Sequence, residues 1–335
     1  MTFRIDPAYD ALYAQYYILG ANMLAGPPRV IFDAGPFGSF KHTNDYLPMV
    51  IETSQGDHRN IIIDFGDTPT FRKELYAWAD VYAKVNLTPE THQTHEKMMP
   101  IGPANFGIRF YPKWLLPWMA IHRYLSAAGR IPSAADFFAS YKASLRRLTL
   151  DRYKDDLKPR HDYIHFVSTL WQGDRIANNF RVNFMEAVRL VPGLNFEGGF
   201  VPRADGQKLG YDAYIGPNVE PMETYRQKIG HSFVVFNTPA VKKCHGWKLP
   251  EFLAWGKAII STPPLRMLPE PLEDGVHWLL TDGTVDHMVA CIQRLQDEPE
   301  LHASLQINAR DYFERLLRPD AVMRRIIERA GLSVE

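Results

Sequence analysis

Lys248 and Glu251 lie three residues apart in the segment SFVVFNTPAVKKCHGWKLPEFLAWGKAIIS, residues 232–261, a spacing that lets a cation and a carboxylate face one ligand. Residues 233–236 are a short apolar run, the pattern of a parallel strand buried on both faces. Thr238 and Pro239 end it, and Gly246 then frees the backbone. Pro250 suits the first turn of a helix, where a missing N–H is harmless, and Glu251 falls where the helix dipole favours a carboxylate. Gly256 stands where that helix should stop, and residues 258–261 start the next strand. A helix opening at the carboxyl edge of a parallel sheet aims free N–H groups outward, which suits a phosphate. A phosphate-bearing ligand could use such donors together with a cation such as Lys248. The plain alternative is a surface ion pair between Lys248 and Glu251; the flanking strands and glycines weigh against it.

Other residues could join this chemistry. The segment WQGDRIANNFR, 171–181, follows a predicted strand over 163–170, so its loop opens on the ligand face of a parallel sheet. Arg175 is predicted in that loop and Arg181 near the start of a helix over 180–190; either could meet phosphate. Trp171 is expected to be buried. Tyr225 could approach a base, but its spacing with Met222 and Ile229 assigns it to a helix packing face. In IIIDFGDTPTF, 61–71, Asp64 and Asp67 lie where a strand opens into a loop, a place for a general base. Asp67 could instead cap a helix beginning near Pro69. His42 and Asp45 are weaker candidates of the same kind. His92, His95 and Glu96 lack a convincing further ligand, so a polar loop is expected and no metal site.

This order of features resembles the C-terminal domain of the GT-B glycosyltransferases, over about residues 160–325 and in outline before that. There a strand and a Gly-containing loop lead to a helix with Glu near its start and Ala-x-Gly near its end, then an apolar strand. Here these are Glu251, then Ala254, Trp255 and Gly256, then 258–261. The loop KKCHGWKLPEF also resembles the exostosin-like branch. The resemblance implies an α/β protein of two Rossmann-like domains facing a central cleft. It implies that Glu251 holds the ribose of a nucleotide-sugar donor, while Lys248, Arg181, Arg175 and backbone amides near Gly246 hold its diphosphate. The implied activity moves a sugar from a UDP- or GDP-linked donor to a hydroxyl of a glycan or lipid-linked acceptor, in surface polysaccharide or lipopolysaccharide synthesis. The donor is a co-substrate, and no cofactor is implied. Asp64 or Asp67 would be the base. The chain has no Asp-x-Asp motif, which agrees with metal-independent chemistry. Lys243 stands where many retaining members carry a Glu, which favours inversion. A nucleotide-sugar epimerase on the same scaffold, or a non-catalytic glycan- or nucleotide-binding protein, are the alternatives. A dinucleotide dehydrogenase is disfavoured, because no Gly-x-Gly-x-x-Gly follows an early strand.

The elements that must position these residues alternate between helix and strand, the pattern of an α/β layer. A helix is predicted over 8–25, strands over 29–33, 49–52 and 60–64, and a helix over 72–83 feeding a strand at 81–85. Two helices are predicted within 112–150, strands over 195–200 and 213–215, and two amphipathic helices within 302–330. A chain of 335 residues suggests two domains. The charged segment DRYKDDLKPRHDY, 151–163, with Pro159, places the boundary, giving an acceptor domain over 1–157 and a donor domain over 158–317. By the resemblance, a helix within 318–335 would pack back on the first domain. Lys plus Arg equals Asp plus Glu at 38 each, so no overall field points to nucleic acid. Two cysteines fit a reducing compartment, and the N-terminus shows no signal peptide. A cytoplasmic protein is expected, with any membrane contact at the inner face. The aromatic and basic segment 111–154 suits such a contact, although ordinary helices of the acceptor domain explain it as well.

Overall fold

The computed structural model describes residues 1–9, 11–40, 45–105, 107–127, 129–154 and 157–333; His42 lies outside them. The chain forms two compact units. Unit 1 is Met1–Arg152 with Arg266–Glu270 and Glu314–Glu335; unit 2 is Tyr153–Leu265 with Pro271–Phe313. The first boundary therefore falls at 152 rather than 157. Tyr153 stacks on Trp255 at 4.9 Å between ring centroids, and Leu157 packs so closely on Gly230 that a Cβ there would collide with it. The 266–270 stretch belongs to unit 1 because the Met267 N–H bonds the Leu87 carbonyl at 2.9 Å.

Unit 1 carries a six-stranded sheet. Its elements in chain order are β1 (Thr2–Ile5), α1 (Ala11–Ala25), β2 (Val30–Phe32), β3 (Tyr46–Glu52), β4 (His58–Asp64), α2 (Lys73–Trp78), β5 (Val81–Lys84), α3 (Pro89–Thr94), β6 (Met98–Pro100), α4 (Leu116–Ser126) and α5 (Ala134–Ser144). The strand order is β2-β1-β3-β4-β5-β6. This sheet is mixed, because β3 runs antiparallel to both β1 and β4 while the other pairs are parallel. The tight turn 53–57 enforces the β3–β4 hairpin, with the Thr53 N–H on the Asp57 carbonyl at 2.9 Å and Gly56 at φ +92°. Tyr46, Ile62, Leu75, Tyr82, Leu87 and Met98 form a core cluster at the sheet. Arg123 of α4 is fully buried, its guanidinium 3.3 Å from the centre of the Tyr9 ring and bonded to the Pro7 carbonyl at 2.9 Å.

Unit 2 is built from β7 (Tyr163–Thr169), α6 (Arg175–Leu190), β8 (Asn195–Val201), α7 (Met222–His231), β9 (Val235–Asn237), α8 (Lys248–Ala254), β10 (Ile259–Ser261), β11 (Leu279–Leu280), α9 (Val285–Asp297) and α10 (Pro299–Tyr312). Strands β7 and β8 pair in parallel, as do β9, β10 and β11. Phe200 of β8 bridges Ile215 in parallel, and the Phe233 N–H joins the edge of β9 to the Tyr163 carbonyl of β7 at 2.8 Å. The strands form two parallel sheets, β8-β7 and β9-β10-β11, and across these links the order runs from the single bridging residue Ile215 through β8, β7, β9 and β10 to β11. Its topological switch point lies between the carboxyl ends of β7 and β9. The buried core runs through Ile164, Phe166, Phe184, Phe236, Ile260 and Ile292. The predicted strand at 213–215 is a helical turn, Asp212–Tyr214, ending on Ile215.

After α10, a π-helical turn, Phe313–Leu317, leads to α11 (Pro319–Arg329) in unit 1. Unit 2 thus ends at Phe313 rather than 317. Helix α11 lies on α1, where Gly20 admits it: a Cβ at Gly20 would collide with the Pro319 carbonyl and the Met323 side chain. No helix among the described residues is long and apolar enough to cross a membrane. Gly20→Ala should lower the unfolding free energy by about 1–3 kcal/mol through overpacking. The midpoint of chemical denaturation checks this, and an unchanged midpoint would refute the docking of α11 on α1.

Candidate functional site

The predicted strand–loop–helix–strand segment forms as α8 between β9 and β10. Helix α8 ends in a Schellman arrangement. Gly256, at φ +58°, donates to the Leu253 carbonyl at 3.0 Å, and the Lys257 N–H reaches the Phe252 carbonyl at 3.0 Å. Gly246 acts through its size rather than a left-handed φ. A Cβ there would stand 3.1 Å from the Thr238 carbonyl oxygen and 3.2 Å from Asn237 Oδ1, so glycine lets the loop close onto the end of β9. That end is polar and cross-linked, with Asn237 Nδ2 donating to Ser261 Oγ at 2.9 Å and Thr262 Oγ1 to Thr238 Oγ1 at 2.9 Å.

Lys248 and Glu251 both meet Tyr225, reached from α7. The Lys248 ammonium donates to the Tyr225 hydroxyl at 3.0 Å and lies 4.6 Å from its ring centre. The hydroxyl donates to Glu251 Oε2 at 3.3 Å. Burial pushes the Lys248 ammonium down to about 8, against the attraction of Glu251 and with the repulsion of Arg181. The Tyr225 phenol is pushed well up by burial and then by Glu251. Tyr225 is therefore a hydrogen-bonded bridge at the site and not simply a packing residue. The 222–229 periodicity that pointed to packing is that of α7, which covers β7.

His165 was not singled out by sequence. It sits in β7, fully buried, with its ring 6.2 Å from that of Tyr225. Neither ring nitrogen has a hydrogen-bond partner among the described residues, and Nε2 stands 3.9 Å from Glu220 Oε2. Burial pushes His165 down to about 4, outweighing the pull of Glu220, so the ring is neutral at neutral pH. The available signal was a histidine inside the apolar alternation YIHFVSTL.

Arg181 lies under the same edge. It is buried on the second turn of α6, donates from Nη1 to the Thr169 carbonyl at the end of β7 at 2.8 Å, and is pushed down to about 10 by burial. Its charge is felt by Lys248. Arg175 is the first residue of α6, exposed, rather than a loop residue. The helix begins earlier than predicted because Asp174 caps it, accepting from the Ala177 N–H at 3.0 Å. Trp171 is half-buried, its backbone carbonyl taking the Asn178 amide at 2.8 Å. Lys243, at φ +62°, is exposed.

In unit 1, Asp64 ends β4 with both oxygens engaged. Oδ1 pairs with the buried Lys84 ammonium at 2.9 Å and accepts the Gly66 N–H at 3.0 Å; Oδ2 accepts the Tyr82 hydroxyl at 2.7 Å. A carboxylate so occupied ties a strand end to its loop. Asp67 is half-buried in that loop, and no helix begins near Pro69; α2 starts at Lys73, so Asp67 caps nothing there. Asp45 is exposed and faces Arg72 at 3.4 Å. His95 packs its ring on Phe71 and Tyr76. Among the described residues, no group of three or more His, Cys, Asp or Glu could hold a metal ion.

No protein-family model matches the chain, and no curated protein matches it by sequence. Among solved structures it is similar to a glycosyltransferase from Rickettsia africae, at 10% identity over 78% of this chain and 67% of that one, with a TM-score of 0.42. It is similar to Anabaena HepE in complex with UDP-glucose at 13% identity over 78% and 68%, with a TM-score of 0.41. It is also similar to S. aureus MnaA with UDP at 15% identity over 79% and 63%, with a TM-score of 0.37. The chain spans about two thirds of the length of each.

Two measurements test the geometry. Asp64→Ala strands the buried Lys84 charge and should cost about 3–5 kcal/mol of stability; a variant as stable as wild type would free Asp64 for another role. An anion held by Lys248 should be bound while the ammonium is charged and released as the pH rises through about 8. Tyr225→Phe removes the ammonium's acceptor and should move that release to lower pH. Calorimetric titration of a nucleoside diphosphate across pH reads both, and a flat profile would exclude Lys248 from the contact.

Proposed function

We propose that the chain is a GT-B type glycosyltransferase that binds a nucleotide-diphosphate sugar on unit 2. The observation that carries this reading is the clustering of Lys248, Tyr225, Glu251 and Arg181 at the carboxyl edge of a doubly wound sheet. Such an edge is where this kind of sheet binds nucleotides. The proposed donor is UDP- or GDP-linked, its ribose hydroxyls taken by Glu251 and its diphosphate by Lys248, with Arg181 adding positive field. Arg181 already serves the Thr169 carbonyl, so its contribution is chiefly electrostatic. Arg175, exposed at the start of α6, is the weaker donor contact.

Transfer to an acceptor hydroxyl needs a base for its proton. Asp67 is preferred over Asp64 for that role, because the oxygens of Asp64 are held by Lys84, Tyr82 and Gly66. The proposed chemistry inverts the anomeric centre and uses no metal; cationic side chains would stabilise the leaving diphosphate. The acceptor is a glycan or lipid-linked hydroxyl, in surface polysaccharide or lipopolysaccharide assembly on the cytoplasmic side.

A thermal-shift screen with UDP-, GDP-, CMP- and dTDP-sugars should raise the melting point with one nucleotide class. Glu251→Ala should then weaken donor binding by about ten- to a hundredfold, the value of a charged hydrogen bond, read as the loss of the donor-induced shift from the variant's own melting point. Wild-type turnover in that variant would end the assignment. Product analysis separates transfer from epimerisation.

A further inference from the structure

We propose that the outer face of α4 rests on an anionic phospholipid bilayer. The helix divides sharply by face. Leu116, Ala120 and Arg123 turn inward and are buried. Trp118 and Leu125 are 68% and 73% exposed, Ile121 is 47% exposed, and Trp114, just before the helix, is 72% exposed. Positions 114, 118, 121 and 125 recur at helical spacing, so these four large apolar side chains form one stripe. Tyr124 and Phe138 of α5, their rings 5.3 Å apart, widen it. An exposed stripe of this kind marks a docking surface rather than ordinary surface scatter.

Charge selects the partner. Residues 112–150 carry six basic residues, Lys113, Arg123, Arg130, Lys142, Arg146 and Arg147, and one acid, Asp136, in a chain whose net charge is zero. Three of the six have internal work: Arg123 is buried, Arg130 binds Asp6 at 2.9 Å, and Arg147 donates to the Leu12 carbonyl at 2.8 Å. Lys113, Lys142 and Arg146 are exposed. A second copy of this segment would oppose like charges across the contact, whereas anionic headgroups complement them. Tryptophan adds to this, since its amphipathic ring settles at the headgroup level. The helix has 11 residues, too few to cross a bilayer, so it would lie in the plane of the interface. This surface does not involve the donor-site residues.

Flotation of the full chain with vesicles tests the proposal. Phosphatidylcholine vesicles containing phosphatidylglycerol should carry the protein upward, pure phosphatidylcholine much less, and added salt should release it. Trp114→Ser with Trp118→Ser should reduce recovery by about tenfold or more, as should Lys113→Glu with Arg146→Glu. These side chains are exposed, so the melting point should hold. Equal flotation on neutral and anionic vesicles, or variants that float like wild type, would overturn the proposal. So would a concentration-dependent dimer that the tryptophan variants abolish while no vesicle binding is seen, which would make the face a contact between copies.

Discussion

An ammonium drawn partly out of water needs hydrogen bonds and an opposite charge in place of the solvent it loses. In unit 2 the Tyr225 hydroxyl meets that need, standing between Lys248 and Glu251. Much of the local architecture can be read as what keeps this hydroxyl in place. Tyr225 arrives on α7, whose last turn is held by Lys257, donating to the Gly230 carbonyl at 2.9 Å. Lys228, on the same helix, ties α7 to Glu197 of β8 and to Glu220. Lys248 and Glu251 arrive on α8, which can start where it does because Gly246 lets its loop touch the end of β9.

The neutrality of His165 belongs to the same balance. It lies within the reach of Glu220, Glu197, Lys228, Lys248 and Tyr225. A charged imidazole there would draw Glu220 away from Lys228 and repel Lys248. Desolvation keeps the ring uncharged, so the pairing of cations with carboxylates is settled without it. The buried Lys257 shows the opposite solution to the same problem. Burial pushes it down to about 7, and its ammonium is spent on a helix C-terminal carbonyl, where the dipole favours a cation.

The opening motif was legible because every signal in it is local: a strand run, a proline at a helix start, a glycine at a helix end. The site's remaining parts come from distant segments, and their local signals were ambiguous. The polar pair Asn178 and Asn179 looked like loop, yet Asp174 caps a helix that includes both, and Asn178 folds its amide back on Trp171. Asp64 looked the same whether catalytic or structural, until the register of β4 against β5 put Lys84 opposite it. Strands β1, β6 and β11 are two to four residues long, too short for periodicity to show. The segment SQGDHR, 54–59, is a local hairpin signal between two strands of the first sheet, but the pairing of β3 with β1 is a long-range choice that no window reveals.

Two lysine–carboxylate pairs in this chain therefore differ in kind. Lys84 meets Asp64 directly, and Tyr82 and Gly66 fill the carboxylate's remaining positions, so that group has little left to offer a ligand. Lys248 instead reaches Glu251 through a tyrosine hydroxyl. An ammonium has three hydrogens, and the bond to Tyr225 uses one of them. A carboxylate so engaged fixes a fold, whereas an ammonium with hydrogens to spare can still meet a ligand. That difference, more than residue type or spacing, separates Lys248 from the Asp64–Lys84 pair.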